Sequence, residues 1–236
     1  AAPDYTHSHS LLLSPVRSQA SVSRYTRTMA LRSNTKQTKA DEAKVKKMFE
    51  KYANDPEDNL PGRIGPNGMV RLLGELKLAD DDRQVLILAQ KMEAQVMCEF
   101  SWEEWQKGMQ AMGACSEATL RNRLAALDKG LKSLEDFKPV YNFAFNFSKR
   151  PGTRNLDMDC ALIFWKILFK DEYPLLPIWE EFMTKAEKKS VTKDAWNMML
   201  DFATTVKTDF SDFDETESWP SMFDDFVDWC RKNSKV

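Results

Sequence analysis

The segment Ser101-Trp-Glu-Glu-Trp-Gln-Lys-Gly-Met-Gln-Ala-Met-Gly113 contains the start, the core-facing stripe and the end of a helix. Ser101 and Glu104 have the spacing of a capping box, which satisfies two free N–H groups at a helix start. Gly113 is the residue type that commonly ends a helix in a left-handed conformation. The apolar residues between these signals that share one face are Trp105, Met109 and Met112. This segment predicts a helix that packs on a core through that face.

Similar patterns on both sides of this segment predict an all-α fold with about ten helices. In the first helix the apolar positions follow the i, i+3, i+4, i+7 rule at Val45, Met48, Phe49 and Tyr52. Pro139 is expected in the first turn of a later helix. The aromatics after it alternate, as in a strand, but no partner strand is evident. The other predicted helices run roughly over residues 69–78, 84–97, 116–132, 156–170, 175–188, 193–208 and 219–231.

Residues 1–40 are predicted to form a basic tail, and residues 41–236 the helical domain. The chain has 236 residues and a formal charge of −2, yet residues 1–47 hold nine basic and three acidic residues. We interpret the Arg- and Ser-rich tail as disordered, with organelle targeting as the alternative. Because the sequence begins at Ala1 and contains Met29, part of the tail is a candidate non-native segment.

The residue counts disfavour most kinds of catalysis. Both histidines, His7 and His9, lie in the tail, so a Ser-His-Asp triad or a Cys/His zinc site is not expected in the domain. Gly is also scarce, at 8 residues, which disfavours a Gly-rich phosphate loop. The cysteines are read as thiols of a reducing compartment, without a disulfide framework. They are Cys98, Cys115, Cys160 and Cys230.

Two segments, Glu57–Gly68 and Glu93–Glu104, have the layout of EF-hand loops that have lost their ligands. Ile64 and Phe100 occupy the hydrophobic eighth position of the two loops. The first loop ends in Gly68, where calcium needs a bidentate carboxylate. We therefore expect EF-hand-like helix–loop–helix units without a metal ion, and no cofactor.

The C-terminal segment from Thr208 to Trp229 is strongly acidic. It has no Lys or Arg, and such a segment favours a basic partner and opposes nucleic acid. A solvated surface without a partner is the simpler alternative. Its acids are Asp209, Asp212, Asp214, Glu215, Glu217, Asp224, Asp225 and Asp228. Its last helix is expected to bury one stripe, formed by Trp219, Phe223, Phe226 and Cys230.

Several motifs together resemble the potentiating-neddylation (PONY) domain of the defective-in-cullin-neddylation family. They are Cys98-Glu-Phe-Ser, Tyr141-Asn-Phe-Ala-Phe-Asn-Phe, Leu156-Asp-Met-Asp, Lys193-Asp-Ala-Trp-Asn-Met-Met-Leu-Asp-Phe, Phe213-Asp-Glu and Ser218-Trp-Pro-Ser-Met-Phe-Asp-Asp-Phe-Val-Asp-Trp. The resemblance covers residues 43–232 in order. It implies an all-helical fold whose N-terminal half is EF-hand-like and packs on a C-terminal helical half. Nothing in the tail has the helical pattern of the ubiquitin-associated domain found in many members.

The resemblance also implies a non-catalytic scaffold that promotes cullin neddylation, in the nucleus and cytoplasm. One surface would bind the basic winged-helix region of a cullin through Asp194, Ser218, Asp224 and Asp225, with Ser218 in place of the family's usual Ala. An apolar pocket would bind the acetylated N-terminus of the neddylation-conjugating enzyme. The pocket residues implied are Pro66, Met69, Val85, Leu88, Ala89, Met92, Cys98, Phe100, Phe147, Phe164 and Ile167.

The RING subunit of the cullin ligase would supply further contacts, and neither nucleic acid nor a membrane is expected as a partner. Two alternatives remain at this stage. One is an EF-hand-like, non-catalytic adaptor that binds another basic protein. The other is an enzyme with Cys160 or Cys230 as its nucleophile.

Overall fold

The computed structural model describes residues 39–235, apart from the side chains of Ala40 and Asp171. Ten α-helices and two short two-stranded sheets occur in this range, so the predicted all-α class is confirmed. In chain order the elements are α1 (Lys39–Tyr52), β1 (Arg63–Ile64), α2 (Pro66–Leu76), α3 (Arg83–Met92), β2 (Phe100–Ser101), α4 (Trp102–Met112), α5 (Glu117–Gly130), α6 (Leu134–Ser148), β3 (Leu156–Asp157), α7 (Met158–Phe169), α8 (Leu176–Lys185), β4 (Ser190–Val191), α9 (Lys193–Thr205) and α10 (Ser221–Lys232).

None of the helices over residues 39–235 has the length and hydropathy that a membrane-spanning helix needs. The predicted tail, residues 1–40, lies almost entirely outside the described residues, so its boundary stays a prediction. Helix α1 begins at Lys39, and the four apolar residues predicted for its inner face are all buried.

The N-terminal half contains two helix–loop–helix units that meet through their loops. Strand β1 pairs antiparallel with β2, and Ile64 lies opposite Phe100. These are the two residues predicted for the hydrophobic eighth position, and both are buried. The EF-hand-like arrangement of this half is confirmed.

The helix signals around α4 are formed as predicted. The backbone N–H of Ser101 donates to Glu104 Oε2 at 2.6 Å, and the N–H of Glu104 donates to Ser101 Oγ at 3.2 Å. Gly113 follows the helix with φ of +61°. The prediction for α3 was too long, since this helix ends at Met92 and Glu93 adopts a left-handed conformation with φ of +52°.

Helix α6 corrects the expectation for Pro139. The helix begins at Leu134, where the Ser133 side chain accepts from the N–H of Asp136, so Pro139 lies inside the helix and not in its first turn. The alternating aromatics belong to two faces of this helix and not to a strand. Tyr141 is fully buried on the inner face, one turn before the buried Phe145. The two aromatics between and after them, Phe143 and Phe147, stack on each other at 4.8 Å.

An aromatic cluster joins α6, α7 and α9 in the C-terminal half. The ring of Trp196 stacks on Tyr141 at 4.8 Å and on Trp165 at 5.2 Å. The hydroxyl of Tyr141 donates to the carbonyl of Trp196 at 2.6 Å and accepts from the indole N–H of Trp165 at 2.9 Å. All three residues are fully buried. The single hydroxyl of Tyr141 therefore satisfies two polar groups that water does not reach.

We expect Tyr141→Phe to lower the free energy of unfolding by about 1–3 kcal/mol, because it leaves the buried indole N–H of Trp165 without a partner and removes a second donor from the carbonyl of Trp196. Tyr173→Phe is the matched control, since the Tyr173 side chain is also buried but its hydroxyl has no hydrogen-bond partner within the described part of the chain. Its removal is expected to be neutral or slightly stabilising. Urea unfolding of both variants measures the difference. Equal losses in the two variants would contradict this role for Tyr141.

Candidate protein-binding surfaces

An apolar cavity of about 300 Å³ lies among α2, α3, α7 and the end of α6. Nine of the eleven residues predicted for a pocket line this one cavity. They are Pro66, Met69, Val85, Ala89, Cys98, Phe100, Phe147, Phe164 and Ile167. The structure thus brings together residues that are up to 101 positions apart in the sequence, from Pro66 to Ile167.

Leu88 and Met92 are the two predicted pocket residues that do not line the cavity. Both are fully buried, on the side of α3 that packs into the core. Met92 packs tightly against Gly108 of α4, where an added Cβ would lie 2.9 Å from the Met92 Cα. Leu88 and Met92 therefore pack in the core beneath the cavity wall and do not contact its interior, so the prediction that they line the pocket was wrong.

Residues at the mouth of the cavity were missed by the sequence analysis. Val70 is 70% exposed, and Val96 and Met97 are each 47% exposed, which is unusual for large apolar side chains. The spacing of Pro66, Met69, Val70 and Leu73 at i, i+3, i+4 and i+7 was a signal that could have found the wall contributed by α2. The lining residues outside the predicted set are Val70, Leu73, Asp80, Asp82, Leu86, Val96 and Met97.

The polar groups of the cavity are confined to a few positions. Asp82 caps α3 by accepting from the N–H of Gln84 at 2.9 Å and lies 3.5 Å from the ammonium of Lys170. The pKa of the Cys98 thiol is raised by burial and then by the negative charges of Glu99 and Asp80, which keeps the thiol in its less nucleophilic form. A cavity with such walls accommodates an uncharged apolar group far better than a charged one.

Arg83 holds α3 against the end of α7, and both helices form walls of the cavity. Its guanidinium is only 5% exposed. It donates to Asp128 in α5 at 2.7 Å, to the carbonyl of Leu168 at 2.9 Å and to Glu172 at 3.0 Å. The pKa of Arg83 stays above its ordinary value because these acceptors outweigh the opposing effect of burial.

The two EF-hand-like loops use their carboxylates for contacts within the protein. Glu104 accepts from the N–H groups of Ser101 and Gln95, and Arg63 lies 3.0 Å from Glu99 and 3.7 Å from Glu104. A Cβ at Gly68 would overlap the carbonyl oxygen of Tyr52, so the last position of the first loop has no room for a carboxylate. Between residues 39 and 235 no group of three or more His, Cys, Asp or Glu side chains is arranged to hold a metal ion.

The predicted acidic residues lie at the starts of two helices. Asp194 is exposed in the first turn of α9, and Ser218 is exposed just before α10. Asp224 and Asp225 lie in α10, which contacts α9 through Phe rings 5.0 Å apart, those of Phe202 and Phe223. The ammonium of Lys188, on the segment leading into α9, lies 3.9 Å from Asp225. We call the surface of Asp194, Ser218, Asp224 and Asp225 the acidic face.

Asp224 is less exposed than the sequence suggested. The apolar stripe predicted for its helix would place Asp224 on the solvent side, but the side chain is half-buried and its Oδ1 atom is buried without a hydrogen-bond partner in the described structure. Its pKa is raised, first by burial and then by the charges of Asp225, Glu215 and Asp228. A cation brought by a partner would satisfy this oxygen and lower the pKa again.

The negative charge of the acidic segment is compensated in the folded protein more than the sequence of the segment suggests. Bases from outside the segment pair with four of its acids: Arg231 with Glu215 at 2.6 Å, Lys232 with Asp228 at 3.6 Å, Lys207 with Asp212 at 3.9 Å, and Lys188 with Asp225 at 3.9 Å. In the region covered by the structure, Asp194, Glu217 and Asp224 make no ion pair. Asp209 and Asp214 likewise make no ion pair in the described range, so ion pairing removes only part of the negative charge of the segment. Two residues of the acidic face, Asp194 and Asp224, remain without a compensating base.

Taken together, the fold and these two surfaces define a helical protein with two candidate protein-binding sites, one apolar and one acidic. A protein-family model described as cullin binding matches residues 119–229, which include the acidic face. The chain is 36% identical over 222 residues to defective in cullin neddylation protein 1 of Caenorhabditis elegans, covering 85% of this chain and 75% of that protein.

Two further relatives are human. DCN1-like protein 5 is 32% identical over 166 residues, covering 70% of each chain. DCN1-like protein 4 is 33% identical over 168 residues, which cover 71% of this chain and 58% of that relative. The chain therefore belongs to the family of defective-in-cullin-neddylation and DCN1-like proteins, as the sequence resemblance predicted.

Proposed function

We propose that this protein promotes cullin neddylation as a non-catalytic scaffold. The acidic face would bind the basic winged-helix region of a cullin, and the apolar cavity would bind the acetylated N-terminus of the neddylation-conjugating enzyme. The observation that carries the proposal is that nine of the eleven residues implied by the family resemblance line one cavity. The names of the relatives and of the matching family model support the cullin part of the proposal.

The chemistry of the cavity supports an acetylated rather than a free N-terminus. A cavity of about 300 Å³ has room for one large side chain and a small amide group. A free α-amino group is largely protonated near neutral pH, and apart from Asp80 and the Lys170-paired Asp82 the lining residues do not solvate a cation. Acetylation removes this charge. The methionine and phenylalanine side chains of the lining can adapt to a flexible thioether side chain.

The acidic face supports a basic protein partner. Asp194 is exposed and unpaired within the described chain, and the buried oxygen of Asp224 has no donor. A lysine or arginine from a partner would form charge-assisted hydrogen bonds with these carboxylates. Ser218, where the family usually has Ala, is exposed and can reach water, so its hydroxyl fits here without a protein partner.

A scaffold of this kind accelerates the reaction by proximity. When one molecule holds the cullin and the charged conjugating enzyme together, the acceptor lysine meets the thioester at a high effective concentration. The RING subunit would complete the assembly. The alternative of a nucleophilic Cys230 is not favoured, since this thiol is fully buried and burial raises its pKa to about 11.

We also propose that the protein acts in the nucleus and cytoplasm, where cullin ligases would be its partners, and that it binds neither nucleic acid nor membranes. The acidic face supports the second part of this proposal, because its negative charge would repel a phosphate backbone or an anionic lipid surface.

Asp194→Ala and Asp224→Lys are expected to weaken binding of the cullin winged-helix domain about tenfold or more, since each removes a negative charge facing a basic surface. Calorimetric titration measures the affinities. Because Asp224→Lys introduces a half-buried cation, Asp224→Asn provides a second, isosteric variant. Glu103→Lys, an exposed acid in the first turn of α4, is the control and should bind as the unmodified protein does. Unchanged affinity in all acidic-face variants would refute the site and favour an adaptor for another basic protein.

For the cavity, we expect a peptide from the start of the conjugating enzyme to bind at least about tenfold more tightly with an acetylated Met than with a free amine. Ile167→Asp should abolish this binding, because Ile167 lines the cavity. Ile163→Asp, one turn away on α7 and 55% exposed, is the matched control and should have no effect. Fluorescence anisotropy measures both comparisons. Equal affinity for the two peptides would contradict the mechanism.

A further inference from the structure

A second charged surface, of opposite sign, adjoins the acidic face. Residues 149–154 (Lys-Arg-Pro-Gly-Thr-Arg) and 188–193 (Lys-Lys-Ser-Val-Thr-Lys) contain six bases and no acid. The first segment leads into β3 and the second contains β4. The two strands pair antiparallel, with Leu156 opposite Val191 and Asp157 opposite Ser190. We call these six bases the basic face. They are Lys149, Arg150, Arg154, Lys188, Lys189 and Lys193.

The fold holds the two segments of the basic face in place. Arg150 pairs with Asp157 of β3 at 2.9 Å, and the backbone N–H of Thr153 donates to the Arg150 carbonyl at 3.2 Å, which closes the turn. On the other side, the N–H of Met158 donates to the carbonyl of Lys189 at 3.0 Å. The bases are thus positioned by backbone structure and not only by their own flexible side chains.

Four of these six bases have no ion pair within the described residues. Arg150 and Lys188 are paired with acids, but the part of the chain that the structure covers contains no ion pair to Lys149, Arg154, Lys189 or Lys193. The ammonium groups of Lys149 and Lys193 both lie over the ring of Phe145, at 5.7 and 4.9 Å from its centroid. The pKa of Lys193 is lowered by burial and then by the nearby positive charge of Lys149.

The two charged faces are adjacent, and consecutive residues of the chain belong to them. Lys193 belongs to the basic face and the next residue, Asp194, to the acidic face. Lys188 of the basic face also pairs with Asp225 of the acidic face at 3.9 Å. A nucleic acid or an anionic membrane has uniform negative charge and would be repelled by the acids next to the basic face. A surface with both signs matches a partner that itself carries both signs, which is typical of a folded protein.

We propose that the basic face binds an acidic segment on the same partner whose basic surface occupies the acidic face. This inference rests on the proposed function, in which that partner is a cullin. The paired faces fix the orientation of the bound protein, because rotating it by half a turn would set like charges against each other. The acidic face alone attracts any basic surface, whereas the two faces together select one docking direction.

Arg154→Glu combined with Lys189→Glu tests the inference, since both side chains are exposed and make no ion pair in the described chain, and we expect their reversal to leave the fold intact. We expect this double variant to bind the cullin C-terminal region about tenfold more weakly at 0.15 M salt, where screening acts over about 8 Å. Lys46→Glu combined with Lys129→Glu changes the net charge equally at exposed positions on α1 and α5. This control should bind with the affinity of the unmodified protein.

Several outcomes separate this inference from the proposed function. If Asp194→Ala weakens binding but the double reversal does not, the basic face has no role at the cullin and the inference is overturned while the proposed function stands. If neither weakens binding, both are overturned. A 20-base-pair DNA or a phosphatidylserine vesicle that binds the full chain more tightly than the cullin region, with loss in the double variant, would assign the basic face to a polyanion and refute the inference. Concentration-dependent self-association lost in the same variant would assign it to a second copy and refute it equally.

Discussion

The buried guanidinium of Arg83 is the interaction on which the arrangement of the two halves depends. It is the residue through which α3 of the EF-hand-like half meets α5, the carbonyl end of α7 and Glu172. A buried charge is costly unless every donor is satisfied, and here three acceptors surround it. The same contact sets the separation of α3 and α7, and the apolar cavity lies between these helices. A charged group in the core thus helps to hold two walls of an apolar site in place.

The cavity and the acidic face differ in whether their groups are already satisfied in the free protein. The cavity is preformed by packed helices whose inner faces are fully buried, so a ligand enters without reorganising the core. The acidic face instead contains unmet interactions: Asp224 has a buried oxygen without a donor and a raised pKa. Such a group is destabilising in the free protein and is relieved by a cationic partner. In the neighbouring basic face, Lys149, Arg154, Lys189 and Lys193 have no ion pair within the described range, so positive charge is available there for an acidic partner.

Much of the fold was predictable because local signals and core packing agree. Ser101, Glu104 and Gly113 mark a helix by backbone hydrogen-bonding rules alone, and the structure follows them. The prediction that Pro139 lies in the first turn of its helix was wrong. The Ser133 cap starts α6 earlier in the sequence, and the missing N–H of Pro139 is tolerated inside the helix. Tertiary packing within one long aromatic helix outweighed the local preference.

The sequence predicted most residues of the candidate sites, but not which of them reach the surface of the cavity and which are buried beneath it. The resemblance to a family supplied positions, yet no pattern separates Ala89, which lines the cavity, from Leu88 and Met92, which lie behind it. That distinction depends on the rotation of α3 against α4. Likewise, the acidic run could not show that Arg231, Lys207 and Lys232 neutralise part of it, since ion pairing depends on folding.

The central claim is that one molecule links two partners and does no chemistry itself. A reconstituted neddylation reaction can test it with a cavity variant, Ile167→Asp, and an acidic-face variant, Asp194→Ala with Asp224→Asn. Each is expected to reduce the stimulated rate to that of the reaction without this protein. Mixing the two should leave the rate at that level, because neither molecule holds both partners. A mixture that restores the rate of the unmodified protein would contradict the scaffold account.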